Sequence, residues 1–180
     1  MNAPGIVTDR PSADDYFLMM AFVAALRGTC GRRQVGAVIV RNGRVVSTGY
    51  NGAPSGMRHC DHRMVPNPMR DRPDDPAEVM GDMENGHCAI AVHAELNAII
   101  DAARTGKSTE GTVLYCTDLP CAKCIIHVIQ AGVREVYYAR AYRPNPRVVE
   151  ACSAAGVKLE RRAPDWAIMT TKLAMMTAMQ

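Results

Sequence analysis

The sequence predicts an α/β protein, a three-layer α/β/α sandwich around a mixed five-stranded sheet. Three observations lead there. Helical and strand periods follow one another in the order α-β-β-α-β-α-β-α-β-α along the 180 residues. Asn42-Gly43 sits between the first two strands, and its readiness to adopt φ > 0 makes it a hairpin turn, so that pair is antiparallel. The later strands alternate with helices, which makes the complete sheet mixed.

Residues 1–11, with Pro4, Gly5 and Pro11, read as an N-terminal arm that nothing in its own composition ties down. Residues 12–180 then form one domain, with an insertion at about 57–88. Ser12 offers an N-cap, Asp14 and Asp15 follow in the first turn, and Tyr16 to Arg27 continues a helix with Phe17, Met20, Ala21 and Ala24 at helical spacing. Val35 to Val40 is an apolar strand and Val45 to Tyr50 its return. Asn51 to Gly56 is rich in turn residues, and Met57 to Gly86 has neither strand nor helix period. A segment this long inside a domain is expected to be functional and held by something other than its own core.

The periodic pattern returns at His93. Leu96, Ile99, Ile100 and Ala103 make an apolar stripe that Gly106 closes. Thr112 to Thr117 is a strand, Cys121 to Ala131 a helix with Gly132 past its end, and Arg134 to Ala139 a strand. Pro146 to Ala155 is a short helix, Val157 to Arg161 the last strand, and Asp165 to Met179 a Met-rich terminal helix.

Composition narrows the function classes. The chain is 48% hydrophobic, ordinary for a globular domain, and its net charge of +3, from 21 Lys+Arg against 18 Asp+Glu, is far below that of a protein held by nucleic-acid phosphates. No basic start precedes an apolar core, and no apolar run approaches the roughly 20 residues of a membrane span. The expectation is a cytoplasmic protein with neither a membrane nor a nucleic-acid partner. Seven cysteines, an odd number with no secretion signal, favour metal binding and reduced thiols over disulfides. Cys116 and Cys152 read as small buried apolar residues.

The chemistry lies at two helix starts, His93-Ala94-Glu95 and Pro120-Cys121-Ala122-Lys123-Cys124. One His and two Cys give three zinc ligands and leave a fourth position for water, the arrangement of a catalytic site. Cys121 and Cys124, at i and i+3, face the same way on a helix whose N-terminus favours thiolate. Glu95 is not needed for the metal and is placed to carry protons. A lone C-x-x-C also suits a redox pair or the structural zinc of a non-enzymatic, zinc-stabilised binding module. Glu95 discriminates, because a closed structural site takes a fourth protein ligand and has no use for a spare carboxylate.

His-x-Glu followed by Pro-Cys-x-x-Cys is the pattern of zinc-dependent nucleobase deaminases. Further pieces accompany it: Cys30-Gly31-Arg32-Arg33-Gln34-Val35-Gly36-Ala37-Val38, Gly49-Tyr50 leading into Asn51-Gly52-Ala53-Pro54-Ser55-Gly56, His59-Cys60, and Tyr138 to Arg143. On these residues the chain, from about Tyr16 to Arg143, resembles the cytidine deaminase superfamily and within it the deoxycytidylate (dCMP) deaminases. The resemblance implies a cytidine deaminase-like fold and hydrolytic deamination of dCMP to dUMP with release of ammonia. His93, Cys121 and Cys124 would hold Zn²⁺, and Glu95 would pass protons from water to N3 and to the departing amine. Free deoxycytidine or cytidine, or adenosine in tRNA, is the alternative substrate on the same zinc core. The insertion and the Tyr138 to Arg143 segment favour a mononucleotide.

The resemblance also implies that Asn51 binds the deoxyribose 3′-hydroxyl, that Ala37 and Val38 wall the base, and that His59, Tyr142 and Arg143 take the phosphate, with Arg32 or Arg33 nearby. Cys30, Cys60 and Cys88, with His87, His59 or His62 as fourth ligand, would form a second, structural zinc site tying the insertion to the first helix. Three unrelated thiols are the alternative. Many family members are hexamers activated by dCTP and inhibited by dTTP, bound with Mg²⁺. The implied effector and assembly residues here are Gly52, Ala53, Pro54, Ser55, Gly56 and Arg104. Met175, Met176 and Met179, read from the sequence itself, suit either a subunit contact or core packing.

Overall fold

The chain is seen in a computed structural model that describes residues 10–60, 63–66, 78–80, 82–84, 87–142 and 144–178. Among them the helices are α1 (Ala13–Ala25), α2 (Ala94–Arg104), α3 (Ala122–Gln130), α4 (Pro146–Ala154) and α5 (Trp166–Ala178). The strands are β1 (Gly36–Arg41), β2 (Arg44–Tyr50), β3 (Met64–Pro66), β4 (Glu78–Met80), β5 (Met83–Glu84), β6 (His87–Cys88), β7 (Val113–Asp118), β8 (Glu135–Arg140) and β9 (Lys158–Arg161). The expected helices and main-sheet strands fall within the one or two residues by which such bounds ordinarily vary.

Five strands form one sheet in the order β2-β1-β7-β8-β9. β1 is antiparallel to both β2 and β7, whereas β7, β8 and β9 run parallel. The sheet is mixed because the β1–β2 link is a hairpin and the β7–β8 and β8–β9 links are helical crossovers. At the hairpin Asn42 and Gly43 take φ of 49° and 70°, the paired positive values of a type I′ turn. Within the insertion, β3 pairs with β4 and β5 with β6 in short antiparallel ladders. The sequence reading found no strands there, because runs of two or three residues are too short to carry an alternation. The N-terminal arm, but for Arg10 and Pro11, lies outside the described residues.

Alternate residues of β1 feed two cores, as the two-residue period of a strand requires. Val38 and Val40 join Phe17, Leu18 and Ala21 of α1 with Tyr115 and Tyr137 on one face. Ala37 and Ile39 join Ala94, Ala98 and Ala102 of α2, Ile125 and Val128 of α3, and Val148 of α4 on the other. α5 stands on the α1 side, where the Trp166 ring meets Phe22 edge-on at 4.8 Å. No described helix is long and apolar enough to cross a membrane.

One close approach sets the position of the site. A Cβ on Gly49 would run into the carbonyl oxygen of Ala94 and the amide of Ala98, so the first turns of α2 lie directly on β2. Ser47, buried on the same strand, donates to the Ala98 carbonyl at 2.8 Å, and Asn97 donates from Nδ2 to the Tyr50 carbonyl at 2.7 Å. Small residues and two side-chain hydrogen bonds thereby fix where α2 begins.

Candidate active site

His93 is the N-cap of α2 and Cys121 the N-cap of α3, both in extended backbone. The stretch before α2 is held by a two-way bridge in which Gly52 donates to the Val92 carbonyl at 3.1 Å and Val92 to that of Gly52 at 2.9 Å. The His93 side chain makes no capping hydrogen bond, which leaves its imidazole for other work. Cys121 does cap, its Sγ accepting from the Cys124 N–H at 3.4 Å.

The two helix starts converge. His93 Nδ1 stands 3.6 Å from Cys121 Sγ and 3.2 Å from Cys124 Sγ, and the three ligand atoms all lie within 4.8 Å of one another. Donors around a tetrahedral zinc, at about 2.0–2.3 Å from the metal, are separated by about 3.6 Å, so the set fits the ion. Hydrogen bonds from the Cys124 thiol, and then from His93 and the Cys124 backbone, pull the Cys121 thiol down to about 3. Cys124, donating to Cys121 and buried, is pushed up. The hydrogen bond with Cys121 raises His93 despite its burial. Two thiols and one imidazole thus share protons that a cation would displace.

Glu95 lies behind this set, 4% exposed. Burial pushes its carboxyl up to about 7, against the pull of its own backbone hydrogen bond and of His93. A group with that affinity for a proton both accepts and releases one near neutral pH.

His93, Glu95, Cys121 and Cys124 line a cavity of about 920 Å³, roomy enough for a mononucleotide. Arg32, Arg33, Tyr142, Lys123 and Arg147 also line it. Asn51 is there as well, but its Oδ1 accepts from the Val35 N–H at 2.8 Å and its Nδ2 donates to the Arg33 carbonyl at 2.7 Å. The amide therefore pins residues 33–35, with one N–H and one lone pair to spare.

Ala37 and Val38 are wholly buried in the sheet's two cores and are not among the lining residues, whereas Val35, just before the strand, is. His59 is exposed and is not among the lining residues. Arg143 and His62 lie outside the described residues, as does the side chain of His87. Gly52 is buried in the bridge to Val92, Gly56 takes φ of 87° in a turn, and Arg104 is exposed at the end of α2.

The cysteines of the insertion come together only in part. Burial, followed by Cys30 and then Cys88, raises the Cys60 thiol to about 12, with hydrogen bonds to both neighbours contributing. Among the described residues only the His93, Cys121 and Cys124 set brings all its donors within 4.8 Å.

Sequence reasoning passed over Asp118, Lys123, Asn145 and Arg147, which all line the cavity. Asp118 carried a usable clue, since a carboxylate ending an apolar strand just before the Cys motif has to find a partner.

A carboxylate that exchanges protons beside an open three-donor zinc set suits hydrolytic removal of an exocyclic amine, and the class so defined is that of the zinc-dependent deaminases. Comparison with known proteins agrees. The model of the cytidine and deoxycytidylate deaminase zinc-binding region matches residues 11–140, and the chain belongs to that family. It is similar to ComE operon protein 2 of Bacillus subtilis, at 37% identity over 164 residues, covering 91% of this chain and 78% of that protein. The deoxycytidylate deaminase of Saccharomyces cerevisiae is 38% identical over 152 residues, covering 84% of this chain and 45% of its own length. The chain thus spans less than half of that relative. The crystal structure of the dCMP deaminase from cyanophage S-TIM5 in complex with dCMP and dUMP aligns with a TM-score of 0.68 at 29% identity, covering 86% of this chain and 99% of that one.

Proposed function

We propose that this protein hydrolyses dCMP to dUMP and ammonia. The observation that carries the reading is the buried Glu95 beside the His93, Cys121 and Cys124 donor set, on the floor of a cavity lined by arginines and a tyrosine. His93, Cys121 and Cys124 would hold a zinc ion, whose chemistry here would be to acidify a water. Glu95 would take a proton from the attacking water as its oxygen bonds to C4 and give that proton to N3 of the pyrimidine; it would then carry the proton of the new C4 hydroxyl to the amine, so that the C–N bond breaks, ammonia leaves and the C4 carbonyl forms. Burial serves both transfers, because it holds the carboxyl near neutrality. Asn51 has an N–H left for a sugar hydroxyl, and Arg32, Arg33 and Tyr142 suit a phosphate. The relatives named for deoxycytidylate and the cyanophage enzyme crystallised with dCMP and dUMP support this substrate pair.

The same reading extends to three further properties. Cys30, Cys60 and Cys88 hold a second zinc with a histidine of the insertion, supported by the contacts of Cys60 with both other thiols. The chain assembles as a hexamer, supported by α5, which has no buried residue and exposes Trp166, Leu173 and Met176. dCTP activates and dTTP inhibits, each with Mg²⁺, through the Gly52 to Gly56 loop next to the site; this rests on the family resemblance and on the bridge joining Gly52 to the residue before His93. The protein works in the cytoplasm as one domain.

The deciding assay is loss of cytosine absorbance with dCMP, deoxycytidine and dCTP supplied separately, with and without effectors, and with Glu95→Ala as control. Turnover of dCMP that vanishes in the control is expected. Turnover of deoxycytidine but not dCMP would overturn the mononucleotide reading.

A further inference from the structure

Asp118, at the end of β7, brings a carboxylate whose side chain is 5% exposed to the wall of the cavity. Two arginines meet it. Oδ1 accepts from Arg33, through Nε at 3.2 Å and through Nη2. Oδ2 accepts from Arg140 Nη2 at 2.8 Å and from Thr117 Oγ1 at 2.8 Å. Thr117 accepts in turn from the Gly36 N–H at 3.2 Å, so the carboxylate is anchored to two neighbouring strands.

One arginine would neutralise this carboxylate; two leave a net positive charge. Arg140 reaches it while lying over the Phe22 ring, 5.2 Å from its centre, on the α1 side of the sheet. Arg33 lies over the Tyr142 ring at 3.9 Å and lines the cavity. Tyr142 is held as well, its hydroxyl accepting from Arg32 Nη2 at 3.2 Å. A guanidinium has five N–H bonds. Asp118 engages Arg33 only through Nε and Nη2, and none of the hydrogen bonds described runs from Nη1. Lys123 and Arg147, which also line the cavity, are exposed and must be ordered before they bind.

We propose that Asp118 is a positioning residue that holds Arg33 as the fixed donor for the substrate's 5′-phosphate, setting the preference for a nucleoside monophosphate over the free nucleoside. This rests on the reading of the cavity as a dCMP site. A guanidinium locked in plane by a carboxylate on one edge and a ring on its face meets phosphate without losing rotamer freedom. Arg140 offsets the carboxylate's charge, so it does not repel the incoming anion.

The test uses the full zinc-loaded chain, comparing wild type, Arg33→Ala, Arg33→Lys, Asp118→Asn and the Arg33→Ala/Asp118→Asn double variant. Zinc content and melting temperature establish that each is folded. The readouts are the ratio of kcat/KM for dCMP to that for deoxycytidine, and the affinity for dUMP by calorimetry. A charge-assisted contact predicts a ratio and a dUMP affinity lower by about ten- to hundredfold in Arg33→Ala, carried by KM. Asp118→Asn should shift both in the same direction, and the double variant should be no worse than Arg33→Ala. Arg33→Lys should recover part of the loss. If Asp118→Asn lowers activity on both substrates equally without moving the ratio, or adds in full to Arg33→Ala, the positioning role is overturned. Wild type without activity on dCMP would instead sink the substrate reading, which separates the two failures.

Discussion

His93 Nδ1 and Cys124 Sγ, 31 residues apart in sequence, stand 3.2 Å from each other across two helix N-termini. Neither helix alone can make this contact. It exists because Gly49 lets α2 settle onto β2 and because only three residues separate the end of β7 from the start of α3.

Metal and carboxylate should separate cleanly by experiment. Stripping zinc with a chelator is expected to abolish turnover and lower the melting temperature, since an ion bound only by the folded chain stabilises it. Glu95→Ala should keep the zinc that binds at His93, Cys121 and Cys124, yet lose turnover by about a thousandfold, within the range for general acid–base groups. Metal analysis beside the activity assay checks both. Loss of zinc in Glu95→Ala would mean that the carboxylate supports the donors rather than the chemistry.

Gly49→Ala should act on the site from outside it. The added methyl meets backbone atoms of Ala94 and Ala98, which no rotamer change can move aside. A cost of about 1–3 kcal/mol is expected from overpacking, read as a lower urea midpoint. Because α2 must lift, His93 moves relative to Cys121 and Cys124, and zinc affinity should fall with stability.

The contrast between what was legible and what was not follows from the range of each interaction. Asn42-Gly43, the Ser12 cap and the His-x-Glu and Cys-x-x-Cys spacings are local, and local chemistry is written in consecutive residues. What Ala37 and Val38 face is not written beside them, because strand pairing and helix packing decide it, and both faces of β1 are covered. The Arg33–Asp118 contact spans 85 residues, and nothing near either residue announces it.

Alkaline pH should expose a second cluster, on the far side of the sheet. Tyr115 stacks on Tyr137 at 5.2 Å and donates to Asp14 Oδ1 at 2.8 Å. Burial, and then Asp14, raise its phenol well above the ordinary value of 10.0. The unfolded chain releases this proton near pH 10 and the folded chain holds it, so unfolding is favoured as pH rises past 10. Melting temperatures between pH 9 and 11 should fall more steeply in wild type than in Tyr115→Phe. The variant should also be about 1 kcal/mol less stable at pH 7 for want of the Asp14 hydrogen bond.

The proposed second zinc makes the most direct quantitative demand. Fully loaded protein should carry two zinc ions per chain. Cys60 is the thiol in contact with both Cys30 and Cys88, so Cys60→Ser should reduce the count to one. That remaining ion belongs to His93, Cys121 and Cys124, and turnover of dCMP should survive at low temperature. Arg58, two residues before Cys60, pairs with Asp82 at 2.7 and 2.6 Å and so ties the start of the insertion to its later part. Loss of the nearby ion should therefore appear as faster proteolysis within the insertion at unchanged cleavage elsewhere. A wild-type content of one zinc per chain, with Cys60→Ser indistinguishable from it in both readouts, would show that these thiols hold no metal and that the insertion is secured by its hydrogen bonds and ion pairs.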